Sequence, residues 1–303
     1  MIKILFITSS RLGDAVISLS VLEALTQQFP TARFTIACGA EVVSLFKTVS
    51  NIDRIIPIHK KSYNRHWYFL WCKCFPTKWF LTVDLRGSIL SFFLRASQRK
   101  ILIGKKFQKQ RAIAQLKKMS LPLETMPRIN PSFKMQEKAK KRMFSPPYVA
   151  LAPTAGSPQK CWPIENFIQL GNFLKRKGFN LVIFYGAREE EKRAVSSFFK
   201  MHPDTLDFGG GEDLEFVSAC LQNCALFVGN DSGLMHLSAA IGIPTLGIFG
   251  PSLSIKYAPR GEKAYFMEAP GFSGKGVMSL LSVERVQEFI LIMLENLKND
   301  KGI

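Results

Sequence analysis

The chain has 303 residues, 47% of them hydrophobic and 12% aromatic, enough to bury the cores of two domains of the usual ~150-residue size. No uninterrupted apolar run reaches the ~18 residues of a membrane span, and the apolar start is broken at Thr8-Ser9-Ser10-Arg11, unlike a signal peptide, so a cytoplasmic location with reduced thiols is expected. A net charge of +18 implies an anionic partner of some kind: nucleic acid, a membrane surface or a phosphorylated substrate.

The charge is uneven. Between Arg95 and Arg142 fifteen Lys and Arg face only Glu124 and Glu137, which puts the basic surface in the first half. The six cysteines lack a Cys-x-x-Cys pair. Cys220 and Cys224, read as sharing a helix face with His236 not far along, are the one grouping that resembles a metal site. Buried free thiols are the better reading.

In chain order, Ile2 to Thr8 is continuously apolar, as a strand buried on both faces should be, and apolar residues at helical spacing (Val16, Leu19, Leu22, Leu25) predict a helix over 14–28. Strands are expected at 34–38, 54–58 and 80–85, with a helix over 41–49. A charged helical stretch, 135–143, then runs into Ser145-Pro146-Pro147, the expected domain boundary.

The alternation restarts with strands at 148–153, 180–184, 205–207, 225–229 and 245–249, and helices at 164–177, 189–199, 214–223 and 233–241. Two successive βα arrays imply an α/β chain of two Rossmann-like domains facing a central cleft, over 1–146 and 147–281. A last helix over 282–303, with an apolar stripe through Val283, Val286, Ile290 and Met293, is expected to cross back onto the first domain.

Ligands in open α/β sheets sit at the carboxyl ends of strands, beside helix N-termini. Four strand-end turns carry candidate chemistry. In Ser9-Ser10-Arg11-Leu12-Gly13-Asp14, Asp14 reads either as a helix cap or as a general base for an acceptor hydroxyl. In the turn from Pro153 to Pro163, Thr154, Gly156, Ser157 and Lys160 gather hydroxyls, backbone N–H groups and an ammonium where a diphosphate fits. Walker spacing is absent there, which disfavours ATP hydrolysis.

The third turn is Asn230-Asp231-Ser232-Gly233, with His236 following on the helix. Capping explains Asp231 or Ser232 but not the whole cluster. In the fourth, Gly186-Ala187-Arg188-Glu189-Glu190-Glu191, a glutamate is placed to accept from ribose hydroxyls, unless the run is simply a solvated helix start.

These motifs, in this order and over most of the chain, resemble glycosyltransferase family 9, the ADP-heptose:lipopolysaccharide heptosyltransferases. The matching residues are Ser9 to Asp14, Gly156-Ser157 with Lys160-Cys161-Trp162-Pro163, Gly186-Ala187 with the glutamates, Asp231 to Ala240, Pro244, and Phe249-Gly250-Pro251. The resemblance implies a GT-B fold with an acceptor domain first and an ADP-sugar-binding domain second. It implies Asp14 as the base, Lys160 as the neutraliser of the diphosphate, and Glu190 on the ribose. Ser10, Gly13, Thr154, Ser157, Asp231, Ser232, Gly233 and His236 would complete the substrate sites.

Transfer would invert the anomeric centre in one displacement, assisted by Lys160 and helix N-termini, with no metal or cofactor. The acceptor would be a lipopolysaccharide core or another anionic saccharide, and the aromatic-basic segment over 59–80 reads either as a contact with the inner membrane or as a partly buried helix or strand of the first domain. The chain departs from the family's usual residues at Thr8 (Lys), Ser232 (Thr) and Ser252-Leu253-Ser254 (Thr-Asp-Pro), the last bearing on sugar choice.

A different nucleotide-sugar is one alternative. A basic nucleic-acid-binding module is another, although no nucleic-acid motif supports it. No Gly-x-Gly-x-x-Gly follows the first strand, which argues against a dinucleotide oxidoreductase.

Overall fold

The computed structural model describes residues 1–59, 63, 65–103 and 110–300, with only the backbone for 297–300. It divides into two compact units, Met1–Ser132 and Phe133–Ile303.

The first unit runs β1 (Lys3–Ile7), α1 (Leu12–Gln28), β2 (Arg33–Gly39), α2 (Val43–Phe46), β3 (Ile52–Ile58), α3 (Arg65–Cys74), β4 (Trp79–Asp84), β5 (Ala96–Ile101) and α4 (Arg111–Lys118). The strands form one parallel sheet in the order β3-β2-β1-β4-β5. Ile4 to Ile7 are fully buried, which is why β1 reads as an unbroken apolar run. α1 is buried on nearly every side from Ala15 to Leu22, so it is a core helix rather than a surface one. The helix expected over 41–49 is cut to a 3-10 turn, Ala40–Val42, and the single turn of α2.

The second unit comprises α5 (Phe133–Arg142), β6 (Tyr148–Ala152), α6 (Ile164–Arg176), β7 (Asn180–Tyr185), α7 (Glu189–Met201), β8 (Leu206–Gly209), α8 (Leu214–Gln222), β9 (Cys224–Asn230), α9 (Gly233–Ile241), β10 (Thr245–Phe249), α10 (Ser254–Tyr257), β11 (Ala264–Glu268) and α11 (Val283–Asp300). Its parallel sheet has the order β11-β10-β9-β6-β7-β8.

Two details differ from the sequence reading. The division falls before α5 rather than at residue 146, because α5 packs on the second unit. The Arg142 guanidinium lies 4.3 Å from the Phe208 ring centroid and donates to the Asp207 carbonyl, and Lys138 sits over Phe216. The stripe of α11 does not mark a crossing to the first domain: Val286, Ile290 and Met293 enter the second unit's core with Val149, Leu151 and Leu246. Residues 301–303 of the expected last helix lie outside the described residues.

Cys224 opens β9 rather than extending the helix of Cys220, so the two do not share a helix face. All six cysteines are free thiols. In each sheet the winding direction reverses once, between β1 and β4 in the first unit and between β6 and β9 in the second. These reversals are the places where open α/β sheets leave room for a ligand.

Candidate active site

At the reversal in the second unit, β6 leads into the loop 153–162 and β9 ends at Asn230. The Asn230 side chain is fully buried. Its Nδ2 donates to the Pro153 carbonyl (2.8 Å) and its Oδ1 accepts from the Trp162 N–H (3.0 Å), so one residue fastens both ends of the loop. The Trp162 indole N–H donates to the Leu281 carbonyl (2.9 Å), which fixes the far end against the core.

The loop holds a 3-10 turn, Pro158–Lys160, and the Lys160 Nζ donates to Asp231 Oδ2 at 2.6 Å. The Asp231 side chain is only 8% exposed, and its N–H donates to the Ile248 carbonyl of β10. Thr154 is buried in the same loop and Ser157 partly so.

Ser232 occupies the N-cap position of α9 but makes no capping bond, and its Oγ is buried without a hydrogen-bond partner among the described residues. The capping explanation therefore fails at this helix. Gly233 opens the helix, whose first N–H groups have no intrahelical acceptor, and His236 is buried on its next turn. A Cβ on Gly156 would meet nothing within 4 Å and the residue has no positive φ, so neither packing nor backbone strain accounts for the glycine.

At the Gly186 turn the partly buried partner is Glu191. Its carboxylate lies against Gly186 and is bound by Arg188 Nε at 3.2 Å, while Arg188 also donates to the Ala155 carbonyl of the neighbouring loop. Glu190 faces solvent on the first turn of α7.

In the first unit, Ser10 packs beneath Gly39, where a Cβ would come within 2.5 Å of the Ser10 Cα. Gly13 and Asp14 lie in the first turn of α1. Arg11 at the N-cap makes no side-chain cap bond, and Asp14 does not cap the helix but accepts from Arg111 Nη1 at 2.6 Å through Oδ1. Its other oxygen, Oδ2, has the Ser9 hydroxyl at 3.5 Å.

Across the reversal, Asp84 at the end of β4 is fully buried. It accepts from the N–H groups of Arg86, Gly87 and Ser88 and from the hydroxyls of Ser88 and Ser91. That turn places Arg86 over the Trp67 ring, 5.0 Å from its centroid. Burial lowers the Arg86 pKa, and the carboxylates of Asp84 and Asp14 work against that shift.

Asp84, Arg86 and Arg111 lie outside the candidate turns, whereas Asn230 and Arg188 stand within them without a role assigned from the sequence. Asp84-Leu85-Arg86-Gly87 carried a visible signal, a charged strand-end turn before glycine. Arg111 carried none.

The model of glycosyltransferase family 9 (heptosyltransferase) matches residues 83–272, from the Asp84 turn through Lys160, Asp231 and Ser232. The chain belongs to glycosyltransferase family 9. This family 9 chain is 23% identical, over 99% of its length and 100% of the relative's, to lipopolysaccharide heptosyltransferase 2 of Salmonella typhimurium. Its fold is similar to that of the Escherichia coli ADP-heptose lipopolysaccharide heptosyltransferase II (TM-score 0.81, 20% identity, covering 98% of this chain and 100% of that one). It is also similar to E. coli heptosyltransferase WaaC with ADP (TM-score 0.76, 18% identity, 96% and 100% covered). The family 9 enzyme is thus a glycosyltransferase of the GT-B fold.

Proposed function

We propose that this family 9 enzyme transfers a heptose from ADP-heptose to a lipopolysaccharide core, or to another anionic saccharide, in the cytoplasm and with inversion at the anomeric carbon. The observation that carries the reading is the Lys160–Asp231 pair beside the unpartnered Ser232 hydroxyl, at the reversal of the second sheet. The relatives named above include an ADP-heptose transferase and an enzyme with ADP, which supports an ADP-linked donor.

In this scheme the diphosphate lies at the N-terminus of α9, where N–H groups without an intrahelical acceptor, the Ser232 hydroxyl and the Lys160 ammonium offer donors to the same anion. Asp231 holds that ammonium in place beforehand, so little reorganisation is needed as charge builds on the departing phosphate. Glu190 accepts from the ribose hydroxyls, and Thr154, Ser157, Gly233 and His236 line the donor pocket.

Asp14 takes the proton of the acceptor hydroxyl as its oxygen bonds to the anomeric carbon and the bond to the diphosphate breaks, releasing ADP. Arg111 ties down Oδ1 and leaves Oδ2 for the proton. Ser10 and Gly13 shape the acceptor side of this turn. The positive charge of the first unit favours an acceptor bearing phosphates or carboxylates. No cofactor enters the scheme.

A panel of ADP-, UDP- and GDP-sugars, scored first by thermal shift and then by transfer to truncated lipopolysaccharide, tests the reading. Stabilisation and turnover with ADP-heptose are expected. Stabilisation by UDP-sugars alone would overturn it.

A further inference from the structure

The turn that closes β4, Asp84-Leu85-Arg86-Gly87-Ser88, stands at the reversal of the first sheet but has no part in the transfer scheme above. It is built to hold its shape. The buried Asp84 carboxylate accepts at Oδ1 from the Arg86 and Gly87 N–H groups, and at Oδ2 from the Ser88 N–H and the Ser88 and Ser91 hydroxyls. Gly87 has a φ of +63°, and a Cβ on it would lie 2.6 Å from the Leu102 carbonyl oxygen, so no other residue fits there without strain.

This rigid turn presents one functional group, the half-buried Arg86 guanidinium. Trp67 of α3 supports it, with the guanidinium carbon 5.0 Å from the ring centroid. Trp67 belongs to the aromatic-basic segment over 59–80, of which residues 60–62 and 64 lie outside the described residues. Among the described residues the Arg86 side chain donates no hydrogen bond.

The two nearby carboxylates are engaged elsewhere. Asp84 is taken by the donors of its own turn, and Asp14 by Arg111 at 2.6 Å, with the Ser9 hydroxyl at 3.5 Å. Burial lowers the Arg86 pKa and the charges of Asp84 and Asp14 oppose that shift, which puts the guanidinium within electrostatic reach of the proposed base. Half-burying a cation without an acceptor for its N–H groups costs desolvation free energy that nothing among the described residues offsets. An oxyanion offsets it. A carboxylate does so best, since its two oxygens match two parallel N–H groups of the planar fork.

We propose that Arg86 selects the acceptor, by binding an oxyanion carried on the same saccharide whose hydroxyl Asp14 deprotonates. The inference rests on the transfer reading given above, and the site lies wholly in the first unit. Arg86 touches no reacting atom; it orients the acceptor so that one hydroxyl faces Asp14 Oδ2. Diffuse positive charge attracts any anion, whereas a guanidinium held on an indole discriminates by where the oxyanion sits on the sugar.

The test measures transfer from ADP-heptose to truncated lipopolysaccharide, to its carboxyl-reduced form and to its dephosphorylated form, by the wild type, Arg86→Gln and Arg86→Lys. Arg86→Gln is expected to raise KM for the intact acceptor roughly tenfold or more, with a smaller change in kcat. Arg86→Lys, which keeps the charge but loses the fork, should fall between. One altered acceptor should show the raised KM already with the wild type and no further rise with Arg86→Gln, which identifies the oxyanion as carboxylate or phosphate. Should Arg86→Gln melt below the assay temperature, Arg86→Lys carries the comparison. An unchanged KM in the folded variants, or an equal rise on all three acceptors, would overturn the assignment and leave the transfer reading standing. If the wild type transfers to none of them, the transfer reading fails and calorimetric binding of the three saccharides decides: binding weakened by Arg86→Gln keeps the site, and its absence ends it.

Discussion

Lys160 and Asp231, 71 residues apart in sequence, meet at 2.6 Å with the carboxylate almost buried and the ammonium one-third exposed. The asymmetry has consequences for both stability and catalysis. A buried carboxylate that loses its partner keeps its desolvation penalty, whereas a released lysine can turn to water.

Lys160→Ala is therefore expected to destabilise the fold by about 1–3 kcal/mol, and Asp231→Asn by less. On the proposed donor role, Lys160→Ala should also lower kcat by roughly 10²–10³. In the Lys160→Ala/Asp231→Asn double variant the losses should be less than additive, because each single change already weakens the pair. Urea denaturation with steady-state kinetics checks both; additive losses would show that the two residues act separately.

Asp14 and Arg111 should separate chemistry from donor binding. Asp14→Asn is expected to cut turnover by roughly 10²–10⁴ and to leave ADP affinity at the wild-type value, since the proposed donor residues all belong to the second unit. Arg111→Ala should lower kcat by a smaller factor, with partial recovery in Arg111→Lys, which keeps the charge but loses the guanidinium geometry. Full turnover by Asp14→Asn would remove it as the base.

Asn230→Ala removes both bonds that clamp the 153–162 loop and leaves the buried Trp162 N–H unsatisfied. A loss of about 2–3 kcal/mol is expected, read as a fall in Tm. Because this loop carries Lys160, ADP affinity measured by calorimetry should weaken as well. A stability loss with unchanged ADP affinity would make Asn230 purely structural.

Burial pushes the thiols of Cys38 and Cys220 up to about 12 and that of Cys74 up to about 11. The reactive thiolate is therefore scarce at neutral pH. In the folded protein iodoacetamide should modify exposed Cys72 first, and these three only after unfolding. Their contribution to stability is fully present below the ordinary thiol pKa of 9.0 and is lost as pH rises from there through 11 and 12, since only the unfolded chain ionises readily in that window. Mass spectrometry of labelled peptides and a pH series of urea midpoints test the two statements; rapid native labelling of Cys38 would contradict the first.

The repeated βα pattern and the strand-end turns were legible in the sequence because they rest on local physics. A strand buried on both faces must be largely apolar, as Ile4 to Ile7 and Leu246 to Phe249 are, and a helix beginning at a glycine after a strand leaves its mark, as Gly233–Ile241 does. The edge strands β5 and β11 and the helix α4 leave no such mark. β5 exposes Ser97, Gln98 and Arg99, β11 exposes Tyr265 and Phe266, and α4 is rich in Lys and Arg, so none of the three stood out from loop.

The order of strands in each sheet is not written in periodicity, and tertiary structure alone set β6 beside β9. That pairing brings the loop of Lys160 to Asp231 and lets Asn230 clamp it. Folding likewise carried Arg111 across 97 residues to Asp14, and it assigned α5 to the second unit through contacts of Lys138 and Arg142 with Phe216 and Phe208. The sequence by itself determined which turns end the strands and which polar residues they carry, because those depend on neighbours along the chain. Which of those residues meet depended on long-range packing, where a charge is matched only once the sheet that holds its partner has formed.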